Sequence, residues 1–265
     1  MDIYTLDFVK EFIRTCEDGF RFGWHDHNNG NLSYRLKPEE MRIVSEHFCG
    51  EQTWRDIGID IPGLGDEYFL ITGSNIHFRN IAHNPKASIG IIKLDEDGED
   101  YSICFGEEGF RAPAGLSSHL MALDVKKHTD DHRVVYHCHT PNLNALTYVL
   151  PLNSSMFTKT LWQMYTSSVL VFPRGIRVVE WMMPGSRELA LATGECLKNV
   201  DAVIWAHHGL LVSGSDFSSV FGLVHTIERA AEITVKVMQI GGKKQGITGK
   251  NIRLLAKSHG VRISI

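Results

Sequence analysis

Residues 133–149 read RVVYHCHTPNLNALTYV, and the two halves have different conformational preferences. RVVYH at 133–137 is rich in β-branched and aromatic residues and reads as a strand. Pro141 presets φ for the first turn of a helix over 141–149. A strand that runs directly into a helix is the building unit of an α/β protein. Outward from this segment, residues 32–36, YFLIT at 68–72, IGIIKL at 89–94, YSICF at 101–105, VLVF at 169–172, IRVVEW at 176–181 and AVIWA at 202–206 are further predicted strands. Turn residues at 95–100 separate two of them. The short neighbours near 89–105 and 169–181 predict antiparallel pairing.

Helices are predicted where apolar residues recur at helical spacing. Leu6, Val9, Phe12, Ile13, Cys16 and Phe20 make the first 22 residues an amphipathic cover for a sheet. Residues 116–127, 154–164, 186–197, 216–238 and 250–258 complete the set. The polar stretch 38–66 shows weak periodicity and is expected to be ordered around Trp54 and the PGLG turn, as an active-site rim or a surface between subunits. No linker, charge block or repeat divides the chain. The expected architecture is α/β, a single mixed β-sheet covered by helices, in one domain over 1–265.

Composition narrows the function classes. The chain has 265 residues, 43% hydrophobic and 22% charged, which suits a substantial buried core. With 27 Lys plus Arg against 31 Asp plus Glu, the formal charge of −4 supplies no global field for nucleic acid or anionic membrane. Cys16, Cys49, Cys104, Cys138 and Cys196 are odd in number and widely spaced, unlike a disulfide-dense secreted domain. An acidic first segment and no apolar run of about 18 residues argue against export and membrane spanning. A cytoplasmic protein is expected.

The chemistry concentrates at His137-Cys138-His139. Residues two apart on an extended strand project to the same side, so the imidazoles can converge while Cys138 points away. His207-His208-Gly209 follows another predicted strand, and one of its histidines can complete three neutral nitrogen ligands for zinc with an open position for substrate. Hydrogen-bonding histidines at a strand end are the plain alternative. Cys138 reads as an inward-facing structural thiol rather than a ligand or nucleophile. A second constellation combines His27-Asn28-Asn29-Gly30-Asn31 with Thr72-Gly73-Ser74-Asn75. Gly30 permits a turn or a close approach, Asn28, Asn31 and Ser74 offer neutral hydrogen-bonding groups, and backbone N–H groups around Gly73 can cradle an oxyanion. Two turn caps would look the same. Neither stretch is a nucleotide P-loop, and no dinucleotide fingerprint is present.

GWHDHNNGNLSYRL at 23–36, YFLITGSNIHFRN at 68–80, HCHTPNLNALTYVL at 137–150, VFPRGIRVVEWMMPG at 171–185 and AHHG at 206–209, followed by a long helix, resemble in their order the class II, zinc-dependent sugar-phosphate aldolase family over almost the whole chain. The resemblance implies that His137, His139 and His208 are the zinc ligands, with His207 supportive. It implies that Asn28, Gly30, Asn31, Gly73 and Ser74 surround the substrate or its phosphate. The implied activity is reversible cleavage of L-rhamnulose 1-phosphate to dihydroxyacetone phosphate and L-lactaldehyde, in a homotetramer with sites near subunit boundaries. RAPAGLSSHLMA at 111–122 departs from the family pattern, which has Pro-Thr-Ser-Glu-Leu before a helix. Gly115 stands where that resemblance places the acid/base Glu, Ala114 where it places a phosphate-contacting Ser, and Ser167 where it places another Glu. Gly cannot transfer a proton, so the catalytic residue is not assigned. Glu107 and Glu108 are the leading local substitutes, Asp26 a weaker one, and His119 is expected to play a structural part. A related sugar-phosphate lyase or epimerase, a non-catalytic sugar-phosphate-binding protein and a purely structural family member are the alternatives.

Overall fold

Strands that are apolar on both faces need helices on both sides. In the computed structural model, which describes residues 2–48 and 53–264, the strands join into one mixed sheet. They are β1 (Asn31–Arg35), β2 (Trp54–Asp56), β3 (Tyr68–Thr72), β4 (Ile89–Leu94), β5 (Asp100–Phe105), β6 (Val134–Cys138), β7 (Arg177–Val179), β8 (Ala202–Trp205) and β9 (Gly209–Gly214). Their spatial order is β2-β5-β4-β3-β1-β6-β9-β8-β7. Every pairing is antiparallel except β7 with β8.

Alternation along β6 divides the core into two layers. Val134, Tyr136 and Cys138 join the apolar layer beneath α1 (Asp7–Arg21) and α9 (Phe217–Gln239), whereas Val135 joins the opposite layer beneath α4 (Leu116–Lys127) and α8 (Arg187–Leu197). The first layer also takes α3 (Phe78–Ile81), α5 (Pro141–Leu146), α6 (Ser154–Met164), α7 (Thr166–Val171) and α10 (Gly249–Ser258). Cys138 is a buried thiol whose pKa burial pushes well above its ordinary value, as suits a structural role. Cys49 lies outside the described residues.

Four departures from the sequence reading have local causes. VLVF at 169–172 lies mostly in helix α7: Val169 is buried and Val171 exposed, a one-sided burial that a short apolar run does not reveal. β7 pairs parallel with β8 because α8 is the crossover between them, so no hairpin forms near 169–181. The weakly periodic stretch contains a helix, α2 (Pro38–Val44), started by Pro38 and by Glu40, whose carboxylate accepts from Lys37 N–H at 2.8 Å. Trp54 is half-exposed on the edge strand β2 and organises no core.

Three described histidines, His25, His119 and His137, sit in this interior. Burial takes His25 and His119 from 6.5 to about 3, so both are neutral in the folded protein while the unfolded chain protonates them below about pH 6.5. Their contribution to stability is therefore complete above pH 6.5 and is lost as pH falls towards 3, by about 1 kcal/mol per pH unit for each. Urea unfolding midpoints should fall steadily between pH 6.5 and 4, and the slope should shrink by one proton in His119→Leu. Equal slopes in the two proteins would contradict the burial of a neutral His119.

Candidate metal centre and substrate cleft

β6 is held on both sides, with His137 opposite Asn31 of β1 and Leu211 of β9. Its ring is set by a hydrogen bond from Nδ1–H to the carbonyl of Leu210 at 3.0 Å, since a carbonyl can only accept. Nε2 is thereby left with a lone pair, and His139 Nε2 lies 3.2 Å from it. His139 follows the strand end, anchored by its backbone N–H to Trp24 O at 2.9 Å. His208 arrives from the turn of the β8–β9 hairpin, where Trp205 faces Gly209 across three intervening residues.

The ring centroids of His137, His139 and His208 are 4.9 to 5.0 Å apart, and one nitrogen from each lies within 4.8 Å of the others. Such a group can hold a metal ion. Burial, followed by the neighbouring imidazoles, drives His137 well below its ordinary pKa, lowers His139 by burial and brings His208 to about 4. All three rings are neutral at pH 7 and offer lone pairs. Gly209 makes this packing possible: a Cβ there would stand 2.6 Å from Cys138 O and 2.9 Å from His137 Cε1. His207 does not join the group. Its Nδ1 faces Thr147 Oγ1 at 3.1 Å and its ring lies against Tyr148.

A second potential ligand group, Asp130, His132 and Asp201, is already saturated. Asp201 and Asp130 bind the buried ammonium of Lys126 at 2.7 and 2.9 Å and the guanidinium of Arg174, so their charges are spent on an internal ion network.

Asn28, Gly30, Asn31, Gly73 and Ser74 all line one cleft of about 200 Å³ with the three histidines. Asn28 Nδ2 donates to Asn75 Oδ1 at 2.9 Å, tying the two loops together. Gly30, at φ 91°, packs where a side chain would strike the His25 ring. The backbone N–H groups expected to cradle an oxyanion are already used: Gly73 N–H donates to Ser88 O at 2.9 Å and Ser74 N–H to Arg111 O at 2.8 Å. Gly73 instead gives room to Phe110, whose ring a Cβ would approach to 2.8 Å. The hydrogen-bonding capacity of the cleft thus lies in the side chains of Asn28, Asn31, Ser74 and Asn75. Asn31 Oδ1 is buried without a hydrogen-bond partner.

Ala114 and Gly115 also line the cleft, with Gly185 packed against Ala114; Pro184, Gly185 and Trp205 complete the lining, and the sequence reading missed them because they lie far apart in the chain. The Trp205 ring lies tilted against His137, with centroids 4.4 Å apart, and donates Nε1–H to Thr193. The acidic candidates lie elsewhere. Glu107 borders a separate cavity with Tyr4 and Phe105, Glu108 is exposed, and neither lines the cleft of the single chain. Asp26 is near, with Oδ1 3.6 Å from His139 Nδ1, on the nitrogen that faces away from the group. His119 is fully buried, bonded through Nδ1 to Ser33 Oγ at 2.8 Å. Ser167 does not line the cleft.

Residues 10–235 match the class II aldolase and adducin N-terminal domain family. The chain belongs to the class II aldolase family. Within it, the chain is 37% identical over 264 residues to a rhamnulose-1-phosphate aldolase of Listeria innocua serovar 6a, covering 98% of this chain and 96% of the relative. It is 38% identical over 259 residues to a rhamnulose-1-phosphate aldolase of Mannheimia succiniciproducens, covering 96% and 94%. The class II aldolase fold is equally clear in three dimensions. A sugar-phosphate aldolase from Thermotoga maritima superposes with a TM-score of 0.77 at 26% identity, covering 89% of this chain and 97% of that one. An L-fuculose 1-phosphate aldolase gives 0.63 at 20% identity, with 97% of each chain covered, and shares the fold. Among the described residues no helix of this class II aldolase is long and apolar enough to cross a membrane.

Proposed function

We propose that the protein cleaves L-rhamnulose 1-phosphate reversibly to dihydroxyacetone phosphate and L-lactaldehyde, with zinc held by His137, His139 and His208. The observation that carries this reading is the convergence of three neutral imidazoles on a cleft lined by uncharged amides and a hydroxyl. The relatives named rhamnulose-1-phosphate aldolase, alike over nearly the whole chain, support the substrate. The donor set fits zinc: three imidazole nitrogens, one with its tautomer fixed by Leu210 O.

When bound, zinc supplies Lewis acidity at the substrate oxygens and stabilises negative charge that develops as the carbon–carbon bond breaks. The chain's own part is binding and orientation. Asn28 and Ser74 hydrogen-bond the phosphate end, Asn31 orients the adjacent sugar oxygens, and Trp205 walls the cleft beside His137. Proton transfer is the weak element. Gly115 replaces the family's acid/base Glu in this reading, and no Asp or Glu lines the cleft among the described residues. Turnover is therefore slow compared with an enzyme that keeps the Glu. The same observation favours a second reading, a sugar-phosphate-binding protein that has lost catalysis.

By the same reading the protein is a cytoplasmic homotetramer. Exposed Tyr148, Trp181 and Met183 are apolar surface available for subunit contact, which light scattering on the eluting protein would test.

A coupled assay for dihydroxyacetone phosphate with zinc-loaded protein between about pH 6 and 9 decides between the two functional readings. Release of product above that of a His208→Ala control is expected, with L-rhamnulose 1-phosphate strongly preferred over L-rhamnulose. Binding without product would establish the second reading. Turnover of a different ketose phosphate only would keep the lyase and reject this substrate.

A further inference from the structure

We propose that His25 is a positioning residue that locks the turn carrying Asn28 and Asn31 onto the strand carrying His137. This inference deepens the reading of the cleft given above and rests on it for the substrate.

His25 is not part of the cleft wall. It is buried behind the turn, flat on Phe78 with ring centroids 3.6 Å apart and planes at 13°. Both ring nitrogens are engaged. Nδ1 lies 3.0 Å from the carbonyl oxygen of Asn29, and Nε2 lies 2.6 Å from the hydroxyl of Tyr136, the residue before His137. The carbonyl can only accept, so Nδ1 carries the hydrogen. Burial keeps the ring neutral, which leaves Nε2 a lone pair and makes the Tyr136 hydroxyl the donor. The relay has one polarity, from the Tyr136 hydroxyl into Nε2 and from Nδ1–H into the Asn29 carbonyl. The other tautomer would set a lone pair against the carbonyl.

The ring is also the surface on which the turn rests. A Cβ at Gly30 would collide with His25 and would reach 2.9 Å from His137 O. Flanking bonds complete the clamp: Trp24 O accepts from His139 N–H at 2.9 Å, and Asn31 is registered opposite His137. Residues 24–31 are therefore tied to 136–139 at both ends, and His25 supplies the tie in the middle. Loss of that tie lets the amides of Asn28 and Asn31 drift relative to the histidine group while leaving the three histidines themselves untouched.

The test pairs hydrogen exchange with ligand binding in zinc-loaded protein, using dihydroxyacetone phosphate as the probe. An Asn side-chain amide can occupy the Nδ1 position and still donate to Asn29 O, whereas Gln reaches only the Nε2 position. His25→Gln is expected to raise amide exchange across 28–31 and weaken the probe by about ten- to a hundredfold, the range for partners that act behind a site, with zinc content unchanged. His25→Asn is expected to restore most of both. Tyr136→Phe removes the donor hydroxyl alone, gives a smaller rise of the same kind, and decides the matter should His25→Gln fail to fold. Wild-type exchange across 28–31 in the folded variants overturns the proposal, and so does His25→Asn behaving like His25→Gln. Failure of the wild-type protein to bind the probe would refute the substrate reading, and the exchange comparison would still decide the role of His25.

Discussion

Replacing His139 or His208 by alanine should bring bound zinc to background and lower kcat/KM for L-rhamnulose 1-phosphate by at least about a thousand-fold, because Lewis-acid stabilisation is worth several kcal/mol at the reacting oxygens. These two positions give the cleaner measurement. His137→Ala has the same expected effect on the metal, but it also deletes a buried side-chain hydrogen bond to the carbonyl of Leu210, at a cost of about 1 kcal/mol in stability. Metal analysis of protein purified without added metal, beside the turnover assay, separates the outcomes. Stoichiometric zinc retained in all three variants would refute the ligand assignment. His207→Ala serves as the control: its ring is bonded to Thr147 and lies against Tyr148, so zinc content should not change.

Gly115→Glu should raise kcat by about a hundred- to ten-thousand-fold, the usual worth of a positioned general acid or base. The backbone accepts the change, since Gly115 sits at φ −79°, ψ 4°, outside the left-handed region that favours glycine, immediately before α4. The neighbourhood has one constraint. A Cβ would stand 3.0 Å from Asn31 Nδ2 and 3.2 Å from Oδ1, so the Asn31 amide must move by a few tenths of an ångström. It can do so without breaking a bond to Oδ1, which has no partner. A protonated Glu carboxyl could then donate to that oxygen, holding the new acid against the cleft. Gly115→Ala measures the steric effect alone, and Gly115→Gln separates hydrogen bonding from proton transfer. If Glu does no better than Gln, the missing carboxylate is not what limits turnover, and the acid/base work lies with another group.

How much of this was legible beforehand depended on how local each signal is. The sheet-building segments YFLIT and IGIIKL coincide with β3 and β4, and the helical spacing of residues 154–164 and 116–127 coincides with α6 and α4, because burial periodicity is written within a few consecutive residues. The last strand, GLLVSG, is hidden in the sequence because Gly209, which ends AHHG, reads as a loop; only its pairing with Trp205 and its packing against Cys138 O and His137 show that it opens β9. VLVF failed for the opposite reason, since a four-residue apolar run carries no period.

The site divides in the same way. Residue type and spacing alone brought forward His-x-His at 137–139, the two histidines at 207–208 and the Asn-Gly turn at 28–31, because metal and oxyanion chemistry need particular side chains close together. Which of His207 and His208 joins the pair is a matter of the three-residue hairpin turn between β8 and β9, which sends one ring to the cleft and the other to Thr147. The separation of Glu107 and Glu108 from the cleft is likewise tertiary: they stand only a few residues from Gly115 in sequence, yet the chain turns them towards a different cavity or to solvent. Sequence determined the sheet-and-helix alternation and the stock of ligating side chains, since both are properties of short segments. Only the folded chain decided which nitrogens converge, which backbone N–H groups are already spent and which carboxylates stay away, because each depends on hydrogen bonds and packing between strands that lie up to a hundred or more residues apart.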